Sequence, residues 1–210
     1  MEQIKAIETH YNGYRFRSRL EARWAVFFDA AGIRYEYEPE GFAMQNGVCY
    51  LPDFYLPDEN VYVEVKPPRK GAWREIQKAS YFVGNQIQCL LLLSNIPEYG
   101  PHVYYFPVLY FHPVEQELRI RHVPFSGNEE LNELCLCRSY GDPFPRVLQF
   151  FGFDRWRTDE EKDAECEKLL TPLIDESEDS IEKIVPEDAE FGEQVYSKAR
   201  KARFEHGEKG

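Results

Sequence analysis

The stretch Tyr50–Pro67, YLPDFYLPDENVYVEVKP, places three ionisable side chains where a buried sheet is expected. Asp53 follows Pro52, and Glu64 and Lys66 lie inside a run of valines. In a strand alternate side chains share a face, so Val61, Val63 and Val65 point one way and Tyr62, Glu64 and Lys66 the other. Glu64 and Lys66 then stand roughly 7 Å apart. The turn PDEN folds the Asp53 strand back beside them. Two carboxylates converging from neighbouring strands, with the Val65 carbonyl as a further ligand, suit a hard divalent cation such as Mg²⁺. A lysine beside that cation can orient or help deprotonate a water, or stabilise charge on a phosphate in flight. The chemistry these parts suggest is metal-assisted phosphodiester hydrolysis. Against it stands a plain alternative, an E-x-K ion pair on an exposed sheet face.

Glu21, in FRSRLEARWA, is open to two readings. Ser18-x-x-Glu21 matches a capping box, in which the glutamate closes the helix start. Alternatively Glu21 projects from that helix toward the acidic site. Glutamine would serve nearly as well in a cap and poorly in a metal site.

The elements that must carry these residues follow from periodicity. SRLEARWAVFFDAAGI reads as a helix, with Leu20, Trp24, Phe27 and Ala31 at helical spacing and Gly32 placed to end it. IRYEYEPEGF, GVCYLPDFYL and VYVEVK read as strands, AWREIQKASYFVG as a helix, and QIQCLLLLS as a strand buried on both faces. HVYYFPVLYFH and QELRIRHVPF read as further strands. Pro143 and Pro145 mark a loop, and RVLQFFGFDRW a short apolar element. TDEEKDAECEKLL looks helical, DESEDSIEKIVPEDAE a solvated linker, and EFGEQVYSKARKARFEH a terminal helix with a basic face. The order α-β-β-β-α-β, then more β, predicts an α/β or α+β core around a mixed sheet.

Glu21, then Pro52–Asp53, then Glu64-x-Lys66, resembles the PD-(D/E)xK nuclease superfamily. The wider phrase RSRLEARWAVFFDAAGIRYEYEPEGF…YLPDFYLP…VYVEVK is similar to small phage and prophage endonucleases, including phage Holliday-junction resolvases and the endonuclease subunit of heteromeric transposases. The resemblance covers about residues 14–95. It implies a restriction-endonuclease-like core, a central mixed sheet flanked by helices; the helical acidic C-terminal extension is read from the charge pattern instead. It also implies Glu21, Asp53 and Glu64 as metal-site acids, Lys66 as catalytic lysine, Mg²⁺ as cofactor (with Mn²⁺ able to substitute), and DNA as substrate. Some relatives use a further Gln or Lys on the next helix, where Gln77 and Lys78 stand. Together with the charge distribution it gives a nuclease-like domain over 1–157, an acidic helix and linker over 158–193, and a basic helix over 194–210.

Charge is compatible with this expectation. The net charge of −12 is carried by Thr158–Glu193, which hold 15 acidic and 3 basic residues. Arg17 and Arg19, with Arg15 and Arg23, surround Glu21 and are candidate phosphate contacts, although Glu36, Glu38 and Glu40 offer them surface partners. Arg69, Lys70 and Arg74 around Trp73 offer a second grip at the mouth of the site, and Trp73 reads equally as a core anchor. Lys198, Arg200, Lys201 and Arg203 form another basic patch, which the acidic segment can neutralise. Five cysteines without an apolar leader suggest a reducing cytoplasm, which the resemblance implies is that of a bacterium or a phage-infected host. Cys135 and Cys137 form only a C-x-C pair, with no second pair to complete a zinc set. No run of about 18 apolar residues suggests a membrane span. Two other readings stay open: a nucleic-acid-binding module with catalysis lost, and a subunit of a recombination or replication assembly. A resolvase would also need a symmetric dimer to cut two strands.

Overall fold

The computed structural model describes residues 6–44, 47–98, 103–112, 114, 116–124, 158–175 and 186–204. The C-x-C pair, the Pro143–Pro145 loop, RVLQFFGFDRW and the middle of the acidic linker lie outside the described residues. The fold is mixed α+β, with a central mixed sheet flanked by helices.

The chain opens with a hairpin, β1 (Thr9–Tyr11) and β2 (Tyr14–Phe16). Its turn is Asn12-Gly13, both at positive φ, a pair suited to a two-residue hairpin. Helix α1 (Arg19–Ala31) follows. The Ser18 hydroxyl accepts from the Glu21 amide at the start, and Gly32 ends the helix at φ 72°.

The strand expected over IRYEYEPEGF is two pieces, β3 (Glu36–Tyr37) and β4 (Phe42–Ala43), parted where Glu38 takes φ 47°. The strand expected over GVCYLPDFYL is likewise two, β5 (Cys49–Tyr50) and β6 (Phe54–Leu56). Proline has no amide to give a ladder, and Pro52 sits at this break. β4 and β5 pair as a separate small sheet, whereas β3 and β6 join the main one.

The main sheet runs β10-β9-β8-β7-β6-β3, with β11 also on β9. Its strands are β7 (Val61–Val65), β8 (Cys89–Leu93), β9 (Val103–His112), β10 (Glu117–Pro124) and β11 (Leu173–Asp175). Among the strands of the described residues only β7 and β8 pair in parallel; α2 (Ala72–Ser80) makes the crossover between them. α3 (Asp159–Leu170) and α4 (Pro186–Lys201) complete the chain's described helices. α4 begins inside the segment expected to be a linker, and Pro186 at its first position is a favoured opening residue.

Two apolar cores lie on opposite faces of the sheet. One holds Trp24, Phe27 and Phe28 of α1, Val61, Val63 and Val65 of β7, and Val195, Tyr196 and Ala199 of α4. The other holds Trp73, Ile76 and Ala79 of α2, Leu90 and Leu92 of β8, and Cys166, Leu169 and Leu170 of α3. β8 divides its leucines between them, Leu91 and Leu93 facing α1, so the strand is covered on both sides as its continuous apolar run predicts. The indole N–H of Trp24 donates to the Ser94 carbonyl at 2.7 Å, tying α1 to the end of β8. No helix among the described residues is long and apolar enough to cross a membrane.

Candidate active site

The alternation of β7 fixes the orientation of its acid. Val61, Val63 and Val65 enter the α1 core, so Glu64 is turned toward the α2 side. That side is roofed by α2, so the exposed-face ion pair considered above does not describe it: Glu64 is only 4% exposed. Asp53, also 4% exposed, lies just before β6. Its backbone pairs on both sides, the amide donating to the Val63 carbonyl at 3.1 Å and the carbonyl accepting from the Glu38 amide at 2.9 Å. Its Oδ2 accepts from the Val65 amide at 2.7 Å, so the carboxylate is pinned to the strand that carries Glu64.

Lys66 closes the group. Its Nζ lies 2.8 Å from Glu64 Oε1, 3.8 Å from Asp53 Oδ2 and 3.4 Å from Glu75 Oε2. Burial pushes the Asp53 carboxyl well above the usual carboxylate range, and the negative charge of Glu64 adds to the rise. Burial also raises Glu64, against the pull of Lys66 and the Tyr50 hydroxyl. Burial alone would lower the Lys66 ammonium, but Glu64 and Asp53 outweigh it and raise its pKa above the ordinary lysine value. Lys66 is therefore a fixed cation at neutral pH, suited to stabilising negative charge and poorly suited to taking a proton.

These groups form the floor of an open cleft of about 490 Å³. The β4–β5 hairpin supplies one wall through Phe42, Ala43, Cys49 and Tyr50; α2 supplies Glu75 and Lys78; Arg17 stands at the rim. Arg17 pairs with Glu38 in the surface manner anticipated from sequence, with its side chain more than half exposed.

Glu21 is 7% exposed and lies close enough to Asp53 to add to the rise in its pKa. Its own oxygens are engaged elsewhere. Oε1 accepts from the Ser18 hydroxyl at 2.7 Å, and Oε2 accepts from the Arg17 amide at 3.0 Å and the Tyr37 hydroxyl at 2.7 Å. The structure thus brings Asp53, Glu64 and Lys66 into contact, and joins Glu21 to them by charge rather than by a bond.

The other candidates scatter. Arg19 is exposed on α1. Arg69 is paired with Glu75, and Lys70 is exposed in the loop before α2. Arg74 is paired with Asp159 and lies 4.6 Å over the Trp73 ring, with Lys162 of α3 4.5 Å from the same ring. Trp73 is 8% exposed and belongs to the second core, an anchor between two helices. Lys78 reaches the cleft; Gln77 does not line it.

Two residues that touch the site escaped the sequence reading. Glu75 reaches Lys66 only because α2 packs across β7, a relation no local motif announces. Tyr50 donates to Glu64 Oε2 at 2.7 Å. It stands three residues before Asp53, and that short spacing was its one available signal.

No family model, curated protein or solved structure matches the chain. Among the described residues no group of three or more His, Cys, Asp or Glu side chains is arranged to hold a metal ion. The donor set nonetheless fits one small hard cation. It is all oxygen, carries two buried acids against one lysine, and leaves Asp53 Oδ1 without a partner among the described residues. Mg²⁺ commonly takes one or two protein carboxylates and completes its shell with water and phosphate oxygens.

Proposed function

We propose that this protein is a Mg²⁺-dependent endodeoxyribonuclease with a restriction-endonuclease-like core of the PD-(D/E)xK kind. The observation that carries this reading is the pair of buried carboxylates, Asp53 and Glu64, bridged by Lys66 on the floor of an open cleft. Burying two acids beside one lysine is unfavourable in a merely structural role. Such an excess of charge is typical of a site that acts on a charged partner.

Asp53 and Glu64 would hold the ion, with the Val65 carbonyl as a further oxygen. A bound Mg²⁺ supplies a lowered water pKa and a polarised phosphate. Lys66, held protonated, stabilises charge that builds on the phosphate oxygens. Arg17 and Lys78 at the rim bind flanking phosphates and set the backbone in register. Glu21 fixes the Arg17 backbone through its bond to that amide. An assembly acting in recombination or replication within a cytoplasm, with or without a second copy, is the setting that the sequence resemblance suggests.

The test is cleavage of labelled single-stranded, duplex, flapped and four-way DNA with Mg²⁺, Mn²⁺ or EDTA. Metal-dependent cleavage is expected, falling about 10²–10³-fold in Lys66→Met, which removes one charge-stabilising group. A folded Asp53→Ala protein should be inactive. Absence of cleavage on every substrate in both metals refutes the nuclease and leaves a binding or assembly role.

A further inference from the structure

Tyr50 has no place in the sequence motif, yet it makes one of the shortest polar contacts of the site. Its hydroxyl lies 2.7 Å from Glu64 Oε2, and the residue is 6% exposed. Its ring packs 5.2 Å from Phe82 within the second core. The same three-residue step from Tyr50 to Asp53 delivers two anchors onto two consecutive residues of β7. Asp53 takes the Val65 amide, and Tyr50 takes the Glu64 carboxylate. Each oxygen of Glu64 therefore has its own donor, Tyr50 on Oε2 and Lys66 on Oε1. With Oε2 engaged on the hairpin side, Oε1 is the oxygen turned to Lys66, whose ammonium also reaches Asp53.

We propose that Tyr50 is a positioning residue for the acid pair: its hydroxyl fixes the Glu64 rotamer so that Oε1 is presented beside Asp53 to a divalent cation. The inference rests on the nuclease reading. A carboxylate swinging about its side-chain torsions would lose rotamer freedom on binding an ion; one already held by a buried hydroxyl does not. Partners that orient a metal ligand in this way commonly change affinity or activity 10–100-fold when removed. The donor also stands on the β4–β5 hairpin, so the wall of the cleft and the orientation of its floor are mechanically one unit.

The experiment uses the full chain and Tyr50→Phe, which keeps the ring against Phe82 and removes only the hydroxyl. Mn²⁺ affinity is read by electron paramagnetic resonance, and the Mg²⁺ dependence of DNA cleavage is read in parallel. Tyr55→Phe, whose hydroxyl bonds Asn60 in an exposed turn, is the control. The expected result is Mn²⁺ binding weakened about tenfold or more in Tyr50→Phe. Its half-saturating Mg²⁺ should rise in step, and its rate at saturating Mg²⁺ should stay close to that of the wild type. 4-Aminophenylalanine at position 50, which keeps a donor, should restore the affinity. Two results overturn the inference while leaving the nuclease intact: unchanged Mn²⁺ affinity in Tyr50→Phe, or a loss that the restored donor does not repair. A wild-type chain that neither binds Mn²⁺ nor cleaves DNA overturns the nuclease reading, and the inference with it. If Tyr50→Phe does not fold, the 4-aminophenylalanine protein decides alone, because unimpaired folding with weakened Mn²⁺ binding would contradict a donor's role.

Discussion

Replacing Asp53 with asparagine should make the metal-free protein more stable. At 3.8 Å, Lys66 attracts the Asp53 carboxylate by about 4 kcal/mol at an effective dielectric near 20. The Val65 amide contributes about 1.5–3 kcal/mol as a bond to a charged acceptor. Against these stand the removal of a carboxylate from water, several kcal/mol for a buried ion, and repulsion from Glu64 and Glu21. The raised pKa of Asp53 says that the unfavourable terms win. Asparagine keeps an acceptor for Val65, removes the charge, and leaves Lys66 with Glu64 at 2.8 Å. The expected gain is about 1–4 kcal/mol near pH 8, or about 2–4 °C of Tm per kcal/mol for a chain of this size.

The pH dependence has a definite sign. Asp53 has a folded pKa above its unfolded value. Its stabilising contribution is therefore present below the unfolded pKa, about 3.9, and is lost as pH rises through the folded pKa. The asparagine variant imitates the protonated form at every pH. The gap in Tm between variant and wild type should be small near pH 4 and widen toward pH 8. Millimolar Mg²⁺ should narrow it by stabilising the wild type alone. Thermal melts across that pH range, in EDTA and in Mg²⁺, measure all of this. A variant that melts below the wild type at pH 8, or a gap indifferent to pH, refutes the reasoning.

Three further outcomes follow from the geometry. Glu21→Gln should lower stability by about 1–3 kcal/mol, because an amide nitrogen would face one of three donors now aimed at carboxylate oxygens; its Mn²⁺ affinity should fall far less than that of Asp53→Asn, since Glu21 acts on the site by charge alone, and equilibrium denaturation beside Mn²⁺ titration separates the two. If the proposed function holds, Arg17→Ala should weaken DNA binding similarly across sequences and reduce the salt slope by about one, as measured by fluorescence anisotropy at several ionic strengths. Gly84→Ala should cost about 2–4 kcal/mol in urea melts, since Gly84 has φ +82° and a Cβ there would lie 2.6 Å from the Phe111 Cβ.

The parts of the site that could be read from sequence are those set by local rules. Ser18 and Gly32 bracket α1 as capping chemistry predicts, and the valine alternation of β7 turns Glu64 away from the α1 core. Breaks within strands were harder. Alternation continues across Glu38 and Pro52, so residues 33–42 and 47–56 read as unbroken, yet a positive φ and a missing amide divide them. Asn12-Gly13 is a local turn signal for the first hairpin, whereas three-residue β11 is too short to show a period. Glu75 and Tyr50 belong to another class. Their places depend on how α2 and the β4–β5 hairpin pack over β7, and spacing along the chain does not encode that.

The packing of α4 against α1 has a consequence for the order of events at the ribosome. Val195, Tyr196 and Ala199 fill the same core as Trp24 and Phe27, and the Tyr196 ring lies 4.8 Å from that of Phe27. The helix that carries Glu21 and follows Arg17 thus waits, with aromatic surface uncovered, until residue 199 has been made. At about 5–20 residues per second, roughly ten to thirty seconds separate the two helices during synthesis. The acid pair, just before β6 and on β7, can be translated early, but the wall of α1 that stands behind it is sealed late. A nascent chain with both acids already outside the ribosome therefore still lacks the helix that completes its first core, and until then the apolar face of α1 is open to any chaperone that binds aromatic surface.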